Sequence, residues 1–110
     1  MGNGSGTYQE LRMTRRLIVR PEAETELRAA FAWYEGCTSG LGSDFLLCVD
    51  AVFCAIQRSP QQYPKVHRIV RRALTRRFPY EVFFLEDDER IVVLSVFHAK
   101  RNPKSWKKRI

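Results

Sequence analysis

Cysteine is scarce. The chain of 110 residues holds three, Cys37, Cys48 and Cys54. An odd and sparse set, with no CxxC and no Cys/His spacing of the zinc type, excludes a disulfide framework and a structural zinc site. The three read instead as small, buried apolar side chains of a reducing compartment. No apolar run approaches the roughly 20 residues that cross a bilayer. The beginning of the chain is polar and glycine-rich, without the apolar stretch of a signal peptide. The expectation is a soluble, cytoplasmic protein. Histidine is rarer still, with only His67 and His98. No Ser-His-Asp order, glycosidase-type carboxylate pair or metal-ligand cluster stands out, and no cofactor is expected.

Acidic residues are missing mainly from the second half. Residues 60–110 carry thirteen Lys/Arg against five Asp/Glu, whereas residues 1–59 carry six against seven. The net charge of +7 therefore belongs to the C-terminal half. A basic surface attracts nucleic acid, an acidic protein segment or an anionic membrane, and charge alone does not choose among them.

What is present suits one small domain. Hydrophobic residues make up 45% of the chain, enough for a core. Residues 1–12, "MGNGSGTYQELR", have no periodicity and read as a flexible leader ahead of a single domain at 13–110. "RRLIVRP" reads as a short strand ended by Pro21. Pro21 also suits the first turn of a helix, and Glu22, Glu24 and Glu26 favour its positive end. Ala23, Leu27, Ala30, Phe31 and Tyr34 recur at helical spacing, which predicts a helix from Glu22 to Glu35, ended by Gly36. "GCTSGLGSD" is a loop, with Ser43 or Asp44 as cap of a second helix. That helix carries an apolar stripe of Phe45, Cys48, Val49, Val52 and Ile56 and ends near Arg58, before Ser59-Pro60. The short loop predicts an antiparallel helical hairpin.

Beyond "PQQYPKV" the period changes from helical to alternating. "HRIVRRALTRR", "FPYEVFF" and "IVVLSVFH" read as three strands of an antiparallel meander, with "DDER" as a polar turn. The expected fold is α+β with order β-α-α-β-β-β, the hairpin packed on one face of a small, mainly antiparallel sheet. Both parities of the last two strands are apolar. On one, Phe78, Tyr80, Val82 and Phe84 align. Ile91, Val93 and Phe97 alternate against Val92, Leu94 and Val96. One hairpin covers one face, so the other is expected to be open and to bind a partner, either another protein or a second copy in a homodimer, the alternative being that the leader or the tail folds back over it.

"GLGSDF" superficially suggests a phosphate loop. It lacks a third glycine, a following Lys-Ser/Thr and a preceding strand, so it reads as a helix connector. "EDDE" (Glu86 to Glu89) reads as a plain hairpin turn. Arg68, Arg71, Arg72, Arg76 and Arg77 form a basic band, continued by Lys100, Arg101, Lys104, Lys107 and Lys108, that could meet phosphates or an acidic peptide. His98 beside Lys100 and Arg101 is the one candidate for acid–base chemistry.

In order behind an "A-x-x-E-L" helix, "GLGSDF", "SPQQYPKV", "VRRALTRRFPYEVFF" and "IVVLSVFHAKRNPKSW" resemble the ParE branch of the RelE/ParE toxin superfamily, whose members are often labelled plasmid stabilization proteins. The resemblance runs from Leu17 to Trp106. It implies a toxin of a type II toxin–antitoxin pair, wrapped by a cognate antitoxin with an acidic, partly disordered segment. ParE-like members poison DNA gyrase, and RelE-like members cut mRNA on the ribosome. RelE-like nucleases place an arginine early in the penultimate strand, where this chain has Tyr80. That departure points to the gyrase-binding branch, with no chemistry of its own. The expected contacts to antitoxin or target are Arg68, Arg71, Arg72, Arg76, Tyr80, His98, Lys100, Arg101 and Trp106. On the alternative reading, a ribosome-dependent endoribonuclease, His98 and Arg101 would be catalytic. A non-toxic nucleic-acid-binding module is the third reading.

Overall fold

A computed structural model describes residues 15–100. The expected leader, and the candidates Arg101 and Trp106, lie outside the described residues. The elements are β1 (Arg16–Val19), α1 (Pro21–Cys37), α2 (Leu41–Arg58), a 3-10 turn (Pro60–Gln62), β2 (Lys65–His67), β3 (Val70–Leu74), β4 (Tyr80–Glu86) and β5 (Arg90–His98). They form one five-stranded sheet in the order β1-β5-β4-β3-β2. β1 runs parallel to β5, and every other pair is antiparallel. The α+β class and the helical hairpin agree with the sequence pattern. The strand count does not. "HRIVRRALTRR" is not one strand, because the chain turns at Arg68, whose φ is 54°, and separates β2 from β3.

α1 starts with Pro21 in its first turn and Glu22 and Glu24 beside it, as the helix dipole favours. It runs past Gly36 to Cys37, and the Thr38 N–H bonds Tyr34 O at 3.1 Å. α2 begins earlier than expected, and neither Ser43 nor Asp44 caps it by side chain. Its free N–H groups meet a carboxylate from α1 instead. Glu35 accepts from Gly40 N at 2.9 Å and from Gly42 N at 3.0 Å. Gly40 holds φ 87°, a left-handed value that glycine tolerates best. At Gly42 a Cβ would lie 2.7 Å from Phe31 O, so the hairpin requires glycine there. "GLGSDF" is thus an anion-binding helix start whose anion is internal.

The core between the helices and the sheet contains Phe45, Val49 and Ile56 from α2, Ala23 and Ala30 from α1, and Val82, Phe84, Ile91, Val93 and Val96 from the sheet. β4 begins at Tyr80, not Phe78. The preceding turn is closed by Thr75, whose hydroxyl donates to Phe78 O and accepts from Tyr80 N. Phe78 still reaches the core at 7% exposure.

Strict alternation along β5 fails at one point. Phe83 pairs with Ser95 and Phe84 with Val93, so Leu94 is an extra residue on β5 and makes a bulge. Ile91 and Val93 face the helices, but beyond the bulge Val96 takes that role and Phe97 joins Val92 and Leu94 on the far side. The expected grouping of Phe97 with Ile91 and Val93 is therefore corrected. Glu26 of α1 secures the bulge. It accepts from Ser95 Oγ at 2.9 Å and from Val96 N at 3.0 Å.

The far face is a second apolar cluster of Val70, Phe83, Val92, Leu94 and Phe97, edged by Leu85. It was expected to be open, yet its members are at most 8% exposed. The two helices belong to the other cluster and do not provide this burial. On this face, the expected exposed apolar patch reduces to its margin, where Leu74 is 57% exposed.

Candidate functional site

The register of β4 with β5 builds the site. Tyr80 pairs with His98; β4's own alternation from Phe84 and Val82 sets Tyr80 on the helix side, and the bulge at Leu94 brings His98 to the same side. With unbroken alternation from Val93, His98 would have pointed to the far face. The Tyr80 and His98 rings meet edge-on at 5.2 Å. Tyr80 also packs on Phe45 at 4.9 Å and Tyr34 on Phe78 at 4.8 Å, both edge-on. Such pairs contribute about 0.5–1.5 kcal/mol each beyond burial, so this end of the sheet is a rigid aromatic wall.

Between that wall and α1 lies a cleft of about 720 Å³, lined by Trp33, Tyr34, Tyr80, Val96, His98 and Lys100 among others. Trp33 stands at its rim, 69% exposed. Burial pushes the Tyr34 phenol above its ordinary value and the nearby Cys37 adds to this, while a hydrogen bond with Tyr80 acts in the opposite sense. The backbone N–H of Lys100 donates to His98 Nδ1 at 3.1 Å. An acceptor at Nδ1 puts the hydrogen of the neutral ring on Nε2. The cleft thus combines an apolar floor, an exposed indole, an imidazole N–H donor, the Lys100 ammonium and the Glu26 carboxylate.

The basic band is placed differently. Arg71 Nε lies 3.2 Å from Glu86 Oε1, off the N–H axis, so this is an ion pair rather than an aligned hydrogen bond. Arg71 Nη1 donates to Tyr63 O at 2.6 Å. Arg15 approaches the other oxygen of Glu86 at 3.6 Å. Arg72 pairs with Glu81 at 3.5 Å and Arg77 with Asp44 at 3.3 Å. These four arginines tie strands and helices together. Arg68 stands on the β2–β3 turn and Arg76 is exposed between β3 and β4. Of the nine expected contact residues, the structure brings Tyr80, His98 and Lys100 into one cleft and sets the described arginines apart from it.

The acidic turn is structural, as read from sequence. Asp87 accepts from Glu89 N at 3.0 Å and Arg90 N at 2.8 Å and pairs with the Arg90 guanidinium at 2.9 Å. Those N–H bonds, with the Arg90 side chain, hold its carboxyl below the usual aspartate value. Among the described residues, no group of three or more His, Cys, Asp or Glu could hold a metal ion. No helix among them is long and apolar enough to cross a membrane.

Sequence reasoning missed Trp33, Tyr34 and Glu26 as parts of this site. Trp33 carried a usable signal, since it lies off the apolar stripe of α1 and a tryptophan there has no core to enter. The roles of Glu26 and of the His98 orientation depend on the bulge, which alternating apolar residues do not reveal.

A helical hairpin on one face of a mainly antiparallel sheet, with a parallel N-terminal edge strand, is the α+β fold of the RelE/ParE type expected from the sequence. A family model described as ParE toxin of type II toxin-antitoxin system, parDE, matches residues 17–103. Toxin ParE2 of Mycobacterium tuberculosis (strain CDC 1551 / Oshkosh) is 34% identical over 92 residues, 83% of this chain and 88% of that protein. Toxin ParE2 of strain ATCC 25618 / H37Rv matches to the same extent. Among solved structures, a chain of the chromosomal ParDE TA system from P. aeruginosa superposes with a TM-score of 0.71. It shares 16% identity, covering 80% of this chain and 99% of the other, and so supports the fold. The chain belongs to the ParE toxin family of type II toxin–antitoxin systems.

Proposed function

We propose that this ParE-type toxin acts in the cytoplasm by binding, with DNA gyrase as its target and a small cognate antitoxin as its inhibitor. The observation that carries the binding mode is the engagement of the arginines. Arg71, Arg72 and Arg77 each face a carboxylate of the same chain. A nuclease that stabilises a phosphorane-like transition state needs cations preorganised toward the scissile phosphate, not neutralised within the fold. Tyr80, at the position of the nuclease arginine, is set in an aromatic wall beside Tyr34 and Phe45. The basic C-terminal half supports attraction to an acidic antitoxin segment, which would order itself on the toxin.

The test is direct. Purified toxin is added to gyrase supercoiling reactions and, separately, to a translating extract with labelled message. Loss of supercoiling or trapped cleaved DNA, with message intact, is the expected result. Cut message that survives in the wild type and disappears in His98→Ala or Arg101→Ala would replace this reading with the ribosome-dependent endoribonuclease. Expression in bacteria tests the pairing. Growth arrest relieved by the adjacent small reading frame is expected.

A further inference from the structure

We propose that the far face of the sheet is the docking surface of the chain's own C-terminal segment, residues 101–110, with Trp106 and Ile110 laid on Phe97, Leu94, Phe83 and Val70. The observation behind it is burial that no described element provides. Those four side chains and Val92 are at most 8% exposed within the single chain. Both helices pack on the opposite cluster. Among the described residues, the partly buried apolar side chain packed on this cluster is Leu85, from the sheet itself. An apolar sheet face is buried by a second layer. The layer must come from outside residues 15–100, which leaves the chain before β1 or the chain after Lys100.

The path and the sequence favour the end of the chain. β5 is a central strand, carries Val92, Leu94 and Phe97 of the cluster, and leads into the C-terminal segment. The chain before β1 joins at the sheet's edge, where Arg16 pairs with Arg90, and it opens with the polar, glycine-rich "MGNGSG". From Phe97, a diagonal across β5, β4 and β3 meets Leu94, Phe83 and Val70 in turn. It misses Leu74, which is 57% exposed. That diagonal is about 18 Å long, from a strand spacing of about 4.8 Å and a rise of about 3.4 Å per residue. Asn102-Pro103 is a helix-start signal, a cap followed by a first-turn proline. A helix from Pro103 to Ile110, behind two extended residues, spans about 19 Å. Trp106 and Ile110 stand four residues apart and so share one helical face. Lys104, Lys107, Lys108 and Arg109 reach water from the other sides. Trp106 in this arrangement anchors the fold rather than meeting a partner.

The test reads each of the chain's two tryptophans alone, in the full chain. Trp33→Phe leaves Trp106, and Trp106→Phe leaves the exposed Trp33. Acrylamide should quench Trp106 at least threefold less than Trp33. Trp106→Ala should raise binding of the apolar dye anilinonaphthalene sulfonate at least threefold, with the circular dichroism of a folded chain. Removal of residues 1–12 should change neither reading. Equal quenching of the two tryptophans overturns the proposal, and this result stands even where Trp106→Ala fails to fold, because Trp33→Phe changes an exposed residue. Dye binding that rises on removal of residues 1–12, and not in Trp106→Ala, gives the face to the leader and overturns it too. Shielding of Trp106 that grows with protein concentration, with a dimer in sedimentation, gives the face to a second copy with the same consequence.

Discussion

Removal of the Glu35 carboxylate tests how the helical hairpin is locked. Two backbone donors at the start of α2 depend on it, Gly40 N at 2.9 Å and Gly42 N at 3.0 Å. No side chain of α2's own N-terminus replaces it. Loss of an N-cap costs about 0.5–2 kcal/mol, and a negative charge at a helix start adds about 0.3–1 kcal/mol. The Gly40 bond is exposed and the Gly42 bond partly buried, so solvent screens one and compensates part of its loss. For Glu35→Ala we expect a loss of about 1.5 kcal/mol, which in a domain of this size lowers Tm by roughly 6–12 °C. Glu35→Gln keeps one acceptor without the charge and should lose about half as much.

The measurement is thermal and urea unfolding followed by circular dichroism, at neutral pH and low salt. A second perturbation approaches the same joint from the other helix. Gly42→Ala would set a Cβ 2.7 Å from Phe31 O and 2.8 Å from Phe31 Cδ1. The backbone oxygen cannot move aside as a flexible side-chain tip could, so a cost of about 1–3 kcal/mol is expected. If Glu35→Ala falls within about 0.3 kcal/mol of wild type, the carboxylate does not cap α2 and the reasoning fails.

Three further perturbations probe the sheet and the cleft. Glu86→Gln removes the partner shared by Arg71 and Arg15 and leaves the Arg71 cation, 15% exposed, without a counter-charge; a loss of about 2–4 kcal/mol in urea unfolding is expected, more than an exposed pair such as Arg28–Glu24 would show. Glu26→Ala deprives the bulge of its acceptor, so the Val96 amide should exchange with deuterium at least tenfold faster, whereas unchanged protection would show that the bulge holds itself. Tyr34 should ionise above the ordinary tyrosine value of 10.0 when followed by ultraviolet absorbance. Because its folded pKa is raised, its contribution is fully present below about 10 and is lost as pH rises through the folded value; Tyr34→Phe should flatten that alkaline decline.

The helices were legible because their apolar stripes are regular and their ends carry Pro21 and Ser59-Pro60. The toxin family was legible because ordered segments along the whole chain carry it. The start of α2 was not, since its cap comes from Glu35, on the preceding helix, and local capping rules look only forward. The split of "HRIVRRALTRR" was hidden because the turn uses Arg68 at positive φ, where sequence rules expect glycine or asparagine. The faces of β5 were misassigned after Val93 because an all-apolar strand gives no break in alternation where Leu94 is inserted. The charge count identified the basic half, but it could not separate cations that face solvent from those held by Glu81 and Glu86.

That separation changes what the basic half does. Arg71 and Arg72 lie on β3, and their carboxylate partners lie on β4, so the two ion pairs cross the strand boundary. Their charge is used in holding the sheet that presents Tyr80 and His98. The bulge then directs His98 toward α1, and Glu26 of α1 reaches back to secure the bulge. Sheet and helix thus determine each other's contribution to one cleft. A change on α1 at Glu26 and a change on β5 at Ser95 should therefore be non-additive in their effect on partner binding, while Glu26 and the remote Leu47 should add. A double-mutant cycle of Glu26→Gln with Ser95→Ala, read by affinity rather than stability, measures that coupling; a coupling no larger than that of Glu26 with Leu47 would mean that the bulge does not govern the cleft.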